Sequence, residues 1–180
     1  MSYASYEIVK EFFILNGFFV LKEKDVFIIK NTDGKIDITS DFVLEKERIL
    51  LIKNGVVKPI SWHTLKFTPS VLNKFPEIFD FVEKPFIDKI KKYFAEEPFL
   101  KILIIPALPV SENLRRESIR IFKEKGIDHV ILFPTIIAGL LEKIEPRHVY
   151  LSSTSEVFRI LKFHRFISER EQYLPFKKKK

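Results

Sequence analysis

Trp62-His63-Thr64-Leu65-Lys66-Phe67 gathers the chain's one tryptophan, a histidine, a lysine and a phenylalanine into six residues. Aromatic rings stack on bases of any sequence and an ammonium meets phosphate, so Trp62, His63 and Lys66 are candidates for nucleic-acid contact. The other reading of the same residues is structural, with Trp62 and Phe67 capping a sheet while His63 and Lys66 face water. As a catalytic base, His63 needs a nucleophile and an orienting acid beside it. A second set is basic. Arg159, Lys162 and Arg165 recur every three residues, and Lys177, Lys178, Lys179 and Lys180 close the chain. Residues 159–180 hold eight basic and two acidic side chains, leaving 23 basic and 22 acidic for the rest out of totals of 31 and 24. Most of the net charge of +7 therefore sits in this end. Such a segment attracts phosphate backbones or anionic membranes without reading sequence; its other reading is a solvated end that aids solubility. The third candidate is an acid, Asp37, set between Ile36 and Ile38, with Asp41 as the alternative register.

Much other chemistry is excluded. No Cys is present, which removes thiolate metal sites and thiol nucleophiles. The four histidines at 63, 129, 148 and 164 are too scattered for a metal cluster, and no Gly-rich phosphate loop, G-x-S-x-G or H-E-x-x-H occurs. The longest uncharged apolar run, Val130 to Leu141, contains Pro134 and Gly139 and is too short to span a bilayer. No basic segment followed by an apolar one opens the chain, so the expectation is a cytoplasmic, soluble protein. With 46% hydrophobic and 31% charged residues in 180, the composition is that of one globular domain. We assign residues 1–168 to a single α/β domain and 169–180 to a basic, flexible tail.

The elements that must position these residues follow from periodicity. Residues 6–16 place Ile8, Phe12 and Leu15 on one helical face, with Ser5 as N-cap and Gly17 as stop. Phe18 to Leu21 and Asp25 to Lys30 read as strands. Asn31-Thr32-Asp33-Gly34 then reads as a hairpin turn, with Lys35 to Thr39 returning antiparallel. Asp41 to Leu44 and Ile49 to Ile52 flank a charged loop, and Asn54-Gly55 turns the chain into Val56 to Ile60. Residues 70–97 are helical but broken at Pro76 and Pro85, the latter starting a second helix. Leu100 to Ile105 and Ile127 to Phe133 read as strands buried on both faces. They are joined by a helix from Ser111 to Lys125, a βαβ unit whose strands are parallel. Thr135 to Ile144 reads as helical, and His148 to Leu151 as a short edge strand. A last helix from Ser152 to about Phe166 carries the Arg159–Lys162–Arg165 stripe outward and Val157, Ile160, Leu161 and Phe163 to Phe166 inward.

This order, helix, β-meander, helix and βαβ, resembles the core of the PD-(D/E)xK nucleases, the restriction-endonuclease-like fold, over roughly residues 5–133. The resemblance implies a mixed central sheet flanked by helices. It also implies a metal site built from an acid on the second core strand and Asp/Glu-x-Lys on the third. There the acids hold a divalent cation that generates hydroxide, and the lysine stabilises developing charge. On these positions Asp37 is the first acid and metal ligand, Lys58 stands where Asp or Glu belongs, and Ile60 stands where the lysine belongs. A first-helix acid also helps hold the metal in this family, which makes Glu11 a candidate. The one acid-x-Lys match, Asp33-Gly34-Lys35, falls in the expected turn.

The resemblance with a degenerate motif implies a non-catalytic domain that binds or accompanies nucleic acid and needs no cofactor. Two alternatives stay open. One is an active Mg²⁺-dependent nuclease with a site rebuilt from Glu11, Asp37 or Asp41, Glu45 or Glu47, and Lys58; the other is an α/β protein-interaction module. We expect residues 35–39 and 56–60 to neighbour one another in one sheet, because the Asp-Gly hairpin and the Asn-Gly turn fold the meander back on itself; separate sheets would remove the basis of the nuclease comparison.

Overall fold

The computed structural model describes residues 3–31, 33–37 and 49–167; at 35–37 and 49–50 the description is of the backbone. Helix α1 (Tyr3–Leu15) leads into strands β1 (Phe19–Glu23) and β2 (Val26–Lys30). After β3 (Lys35–Asp37) and β4 (Ile49–Leu51) comes β5 (Asn54–Pro59). A helical stretch follows, made of α2 (Pro69–Lys74), a 3₁₀ segment (Pro76–Val82), α3 (Lys84–Ile90) and a second 3₁₀ turn (Lys91–Phe94). Strand β6 (Leu100–Ile105), α4 (Glu112–Glu124), β7 (His129–Leu132), α5 (Phe133–Lys143) and α6 (Ser153–Phe163) complete it.

The main sheet has the order β1-β2-β5-β6-β7. The first three strands are antiparallel, while β5, β6 and β7 are parallel. It is an α/β fold with a five-stranded mixed sheet flanked by helices. The apolar runs explain why. Val26-Phe27-Ile28-Ile29 is buried throughout, because a period of two sends alternate side chains to opposite faces. Phe27 and Ile29 join Val57, Ile102, Ile104 and Ile131 beneath Phe12, Phe13, Ile136 and Leu140 of α1 and α5. Val26 and Ile28 join Val56, Leu103, Ile105 and Val130 beneath Phe81, Phe94 and Phe122 on the other face. Gly139 serves the first of these cores: a Cβ there would stand 2.5 Å from the Phe12 ring, so its absence lets α1 lie against α5.

Several sequence expectations need correction. The chain does not return on β2 as a hairpin: β2 pairs with β5 and β3 with β4, through a bulge. Lys30 pairs with Asn54 and Lys35 with Leu51, so the first strand advances five residues while its partner advances three. The Asn31 N–H donates to the Lys53 carbonyl at 2.8 Å and the Ile52 N–H to Gly34 at 2.5 Å, carrying the β2–β5 ribbon into the β3–β4 pair. Gly34 has φ of +63°, and a Cβ there would stand 3.2 Å from the Ile52 backbone. The left-handed conformation that suits a turn serves a bulge equally well, and local sequence does not tell them apart.

As a result, Lys35–Asp37 pairs with β4 in a two-stranded sheet separate from β5. The expected neighbourhood of Asp37 with residues 56–60 in one sheet is overturned. Asn54-Gly55 likewise begins β5 instead of turning into it. Both residues are buried, and the missing Cβ of Gly55 makes room for Ile29 and Ile102 at 3.1 and 3.3 Å. No strand forms over residues 148–151. The α1 helix begins before Ser5, so Ser5 lies inside its first turn and is not its cap.

Candidate functional site

Lys58 is the centre of the one place where the expected chemistry and the observed geometry meet. It lies near the end of β5 with 6% of its side chain exposed, and its ammonium sits 3.1 Å from the Asp25 carboxylate. It also donates to the Glu77 carbonyl at 2.8 Å and lies 5.7 Å above the Phe81 ring. The β2–β5 register explains the meeting. Phe27 faces Val57, so the residue preceding β2 falls beside the end of β5. Lys24, in the left-handed region at φ 54°, turns the chain from β1 into this position.

The surroundings bind the same corner together. The Tyr6 hydroxyl on α1 donates to the Asp25 carbonyl at 2.6 Å. Burial, and then the Asp25 charge, hold the Tyr6 phenol far above its ordinary range. Glu23 accepts from Lys89 at 2.6 Å and from the Tyr93 hydroxyl at 2.8 Å. Those two bonds hold its carboxyl below the usual range. An ammonium fixed in this way cannot ligate a cation, and at 6% exposure it cannot meet a phosphate without leaving Asp25. The donor set therefore does not fit a divalent metal. Among the described residues, no three His, Asp or Glu side chains are grouped to hold one.

The other expected residues are dispersed. Asp37 lies on the β3–β4 ribbon, and Asp41, Glu45 and Glu47 lie outside the described residues. Glu11 is buried on α1 and accepts the Ser155 hydroxyl at 2.5 Å, tying α1 to α6. Trp62 stacks on Phe67 at 6.2 Å and meets Phe75 edge-on at 5.0 Å, so it packs against the fold. His63 and Lys66 are both exposed; the His63 ring meets Phe133 edge-on, with its Nε2 2.8 Å from the Ser5 hydroxyl. The carboxyl ends of the parallel strands are bridged by this segment, through the Phe67 N–H to the Ala107 carbonyl at 3.0 Å.

The basic stripe is inverted. Lys162 donates to the Leu141 and Ile144 carbonyls at 2.6 and 2.8 Å, capping the end of α5. Arg159 bonds Glu156 and the Pro146 carbonyl. Both side chains turn inward. Val157, Ile160 and Phe163, expected inside, are 55%, 43% and 56% exposed. The helix ends at Phe163, and exposed Arg165, at φ 60°, lies beyond it. Lys177 to Lys180 lie outside the described residues.

At the opposite end of β5 a cavity of about 470 Å³ opens between Phe19, Lys30, Asn31, Lys53, Asn54 and Phe94. Phe19 is 68% exposed. Lys53 lies 3.4 Å from Glu97, and Lys30 lies over Phe94 at 5.6 Å. Ala95 and Glu96 beside it both hold positive φ, 49° and 66°. No family model, curated protein or solved structure matches the chain.

Sequence reasoning misses Asp25 and the 470 Å³ cleft. Asp25 carries the same signal as Asp37, an acid set against an apolar run. The four-residue run Val26–Ile29 even makes it the stronger instance. The expected hairpin hides it, because that hairpin puts Asp37 on the strand next to residues 56–60.

Proposed function

We propose that this chain is a nuclease-like α/β domain in which an internal ion pair takes the place of the metal site, and that it associates with nucleic acid without cutting it. The observation that carries this reading is the buried Lys58 ammonium held 3.1 Å from Asp25. Asp25 precedes the second strand of the five-stranded sheet, and Val56-Val57-Lys58 lies on the third. In this register the lysine of an Asp/Glu-x-Lys stretch is kept and the acid is Val56, buried against the second core. A helix first, an antiparallel meander, helices and a parallel βαβ unit support the restriction-endonuclease-like comparison, with the β3–β4 ribbon as an insertion. The separation of Asp37 from β5 removes the basis on which the sequence comparison was made, so the comparison now rests on element order and on Asp25 in place of Asp37.

Nucleic-acid association is supported by two features. One is the basic chain end from Arg165 onward. The other is the cleft lined by exposed Phe19 together with Lys30 and Lys53, an aromatic ring and ammonium groups of the kind that meet a stacked base and its phosphate. Incubation with labelled single- and double-stranded DNA and RNA, with Mg²⁺ or Mn²⁺, tests both halves. We expect binding that Phe19→Ala and Lys53→Met weaken, and no cleavage. Metal-dependent cleavage that disappears in Asp25→Ala would overturn the reading.

A further inference from the structure

Helix α6 is built inside out. Its inward side carries Ser155, Arg159 and Lys162, each bonded to groups of α1, α5 or their neighbouring loop. Its outward side carries Val157 and Ile160, one turn apart, with Phe163 at the edge. Leu151 before the helix is fully exposed at 106%, Val149 at 74%, and Phe166 after it at 77%. All six leave apolar side chain against water, along α6 and at both of its ends.

From this face we propose that the chain forms a symmetric dimer in which α6 packs on α6 of a second copy. The charges within the helix favour a second copy. The two basic residues within α6 are turned inward, so a phosphate backbone or an anionic membrane surface meets no cation between Val157 and Phe163. A lipid-seated helix keeps its Lys and Arg on the polar face beside the bilayer, whereas here they point into the protein. A twofold interface requires one patch to complement itself. The Val157–Ile160 ridge does so, because pairing it with its own copy brings apolar rows together and opposes no like charges. This dimer uses neither the Lys58 corner nor the Phe19 cleft, and it meets the nucleic-acid reading only where the basic end begins, at Arg165 and Phe166.

Sedimentation of the full chain from roughly 1 to 100 μM, a range that brackets micromolar dissociation, reads the association directly. We expect a monomer–dimer equilibrium that Ile160→Asp shifts at least tenfold toward monomer, with an unchanged circular dichroism spectrum. The natural absence of Cys permits a second readout that does not depend on folding of a charged variant. Ile160→Cys should give a disulfide-linked dimer on mild oxidation, while Leu114→Cys, on the exposed side of α4, should not. A single monomeric species over the whole range would overturn the proposal, as would equal cross-linking of the two variants. A full chain that dimerises only after removal of residues 168–180 would also overturn it, and would assign the face to the chain's own end.

Discussion

Lys58 shows how one buried charge decides what a corner of the fold can do. A lysine ammonium taken out of water needs a counter-charge and acceptors, and it finds Asp25, the Glu77 carbonyl and the Phe81 ring. Removing one partner is worse than removing the charge. Asp25→Ala should therefore cost about 1–3 kcal/mol, less than the ~3–5 of a fully buried pair because Asp25 is half exposed. Lys58→Met, which strands only the half-exposed Asp25 carboxylate and the Glu77 carbonyl, should cost less than Asp25→Ala, and the double variant should stay within about 1 kcal/mol of the parent chain. Urea unfolding of the two variants and of the double variant checks the order. A larger loss for Lys58→Met than for Asp25→Ala would mean that the ammonium itself holds the corner. The types of residue at this site are legible in the sequence, where Lys58 stands out. Its partner is not, because pairing across a sheet depends on register, and two extra residues before Gly34 move every position that follows.

At the scale of elements, the buried strands are the most legible part. Unbroken apolar runs such as Leu100 to Ile105 admit few other placements, and the parallel βαβ unit follows from them. The last helix departs from expectation for an identifiable reason. Its outward face was assigned by the rule that charge seeks water, but Arg159 and Lys162 have long stems that bury while their ends find carbonyls. Lys162→Met should consequently destabilise the chain by about 1–3 kcal/mol, as expected for losing charge-assisted bonds to backbone acceptors. The salt dependence of nucleic-acid binding should not change. Thermal unfolding and a binding titration on the same variant separate these effects. Glu156 gives a pH signature. The bonds from Arg159 hold its carboxyl below the ordinary 4.5. Its contribution is then complete above that value and is lost as pH falls through the lowered one. Arg159→Ala should bring the Glu156 carboxyl titration back toward 4.5, read by carbon-detected NMR. Gly139→Ala belongs here as well. Ala favours the helix by about 1 kcal/mol, but the added carbon meets the buried Phe12 ring at 2.5 Å. A net loss of about 1–2 kcal/mol is expected, and a gain would mean that α1 can shift off α5.

For the whole molecule, the charge and the sheet point to different ends. The five-stranded sheet keeps its buried lysine and the acid that pairs with it at the Asp25 corner, whereas the basic excess lies from Arg165 to Lys180. The phosphate contacts we propose for that end would carry no sequence information. Deleting Lys177 to Lys180 should lower the slope of log affinity against log salt, by up to about 0.9 for each phosphate no longer neutralised. An unchanged slope would remove the tail from the account. The central claim is that an ammonium stands where a metal would otherwise be held. Paramagnetic broadening of backbone amide signals during Mn²⁺ titration tests it most directly. The account predicts no selective broadening at Val26, Val57 and Lys58 relative to the rest of the sheet. Selective loss of those signals at low Mn²⁺, restored by Asp25→Ala, would contradict it.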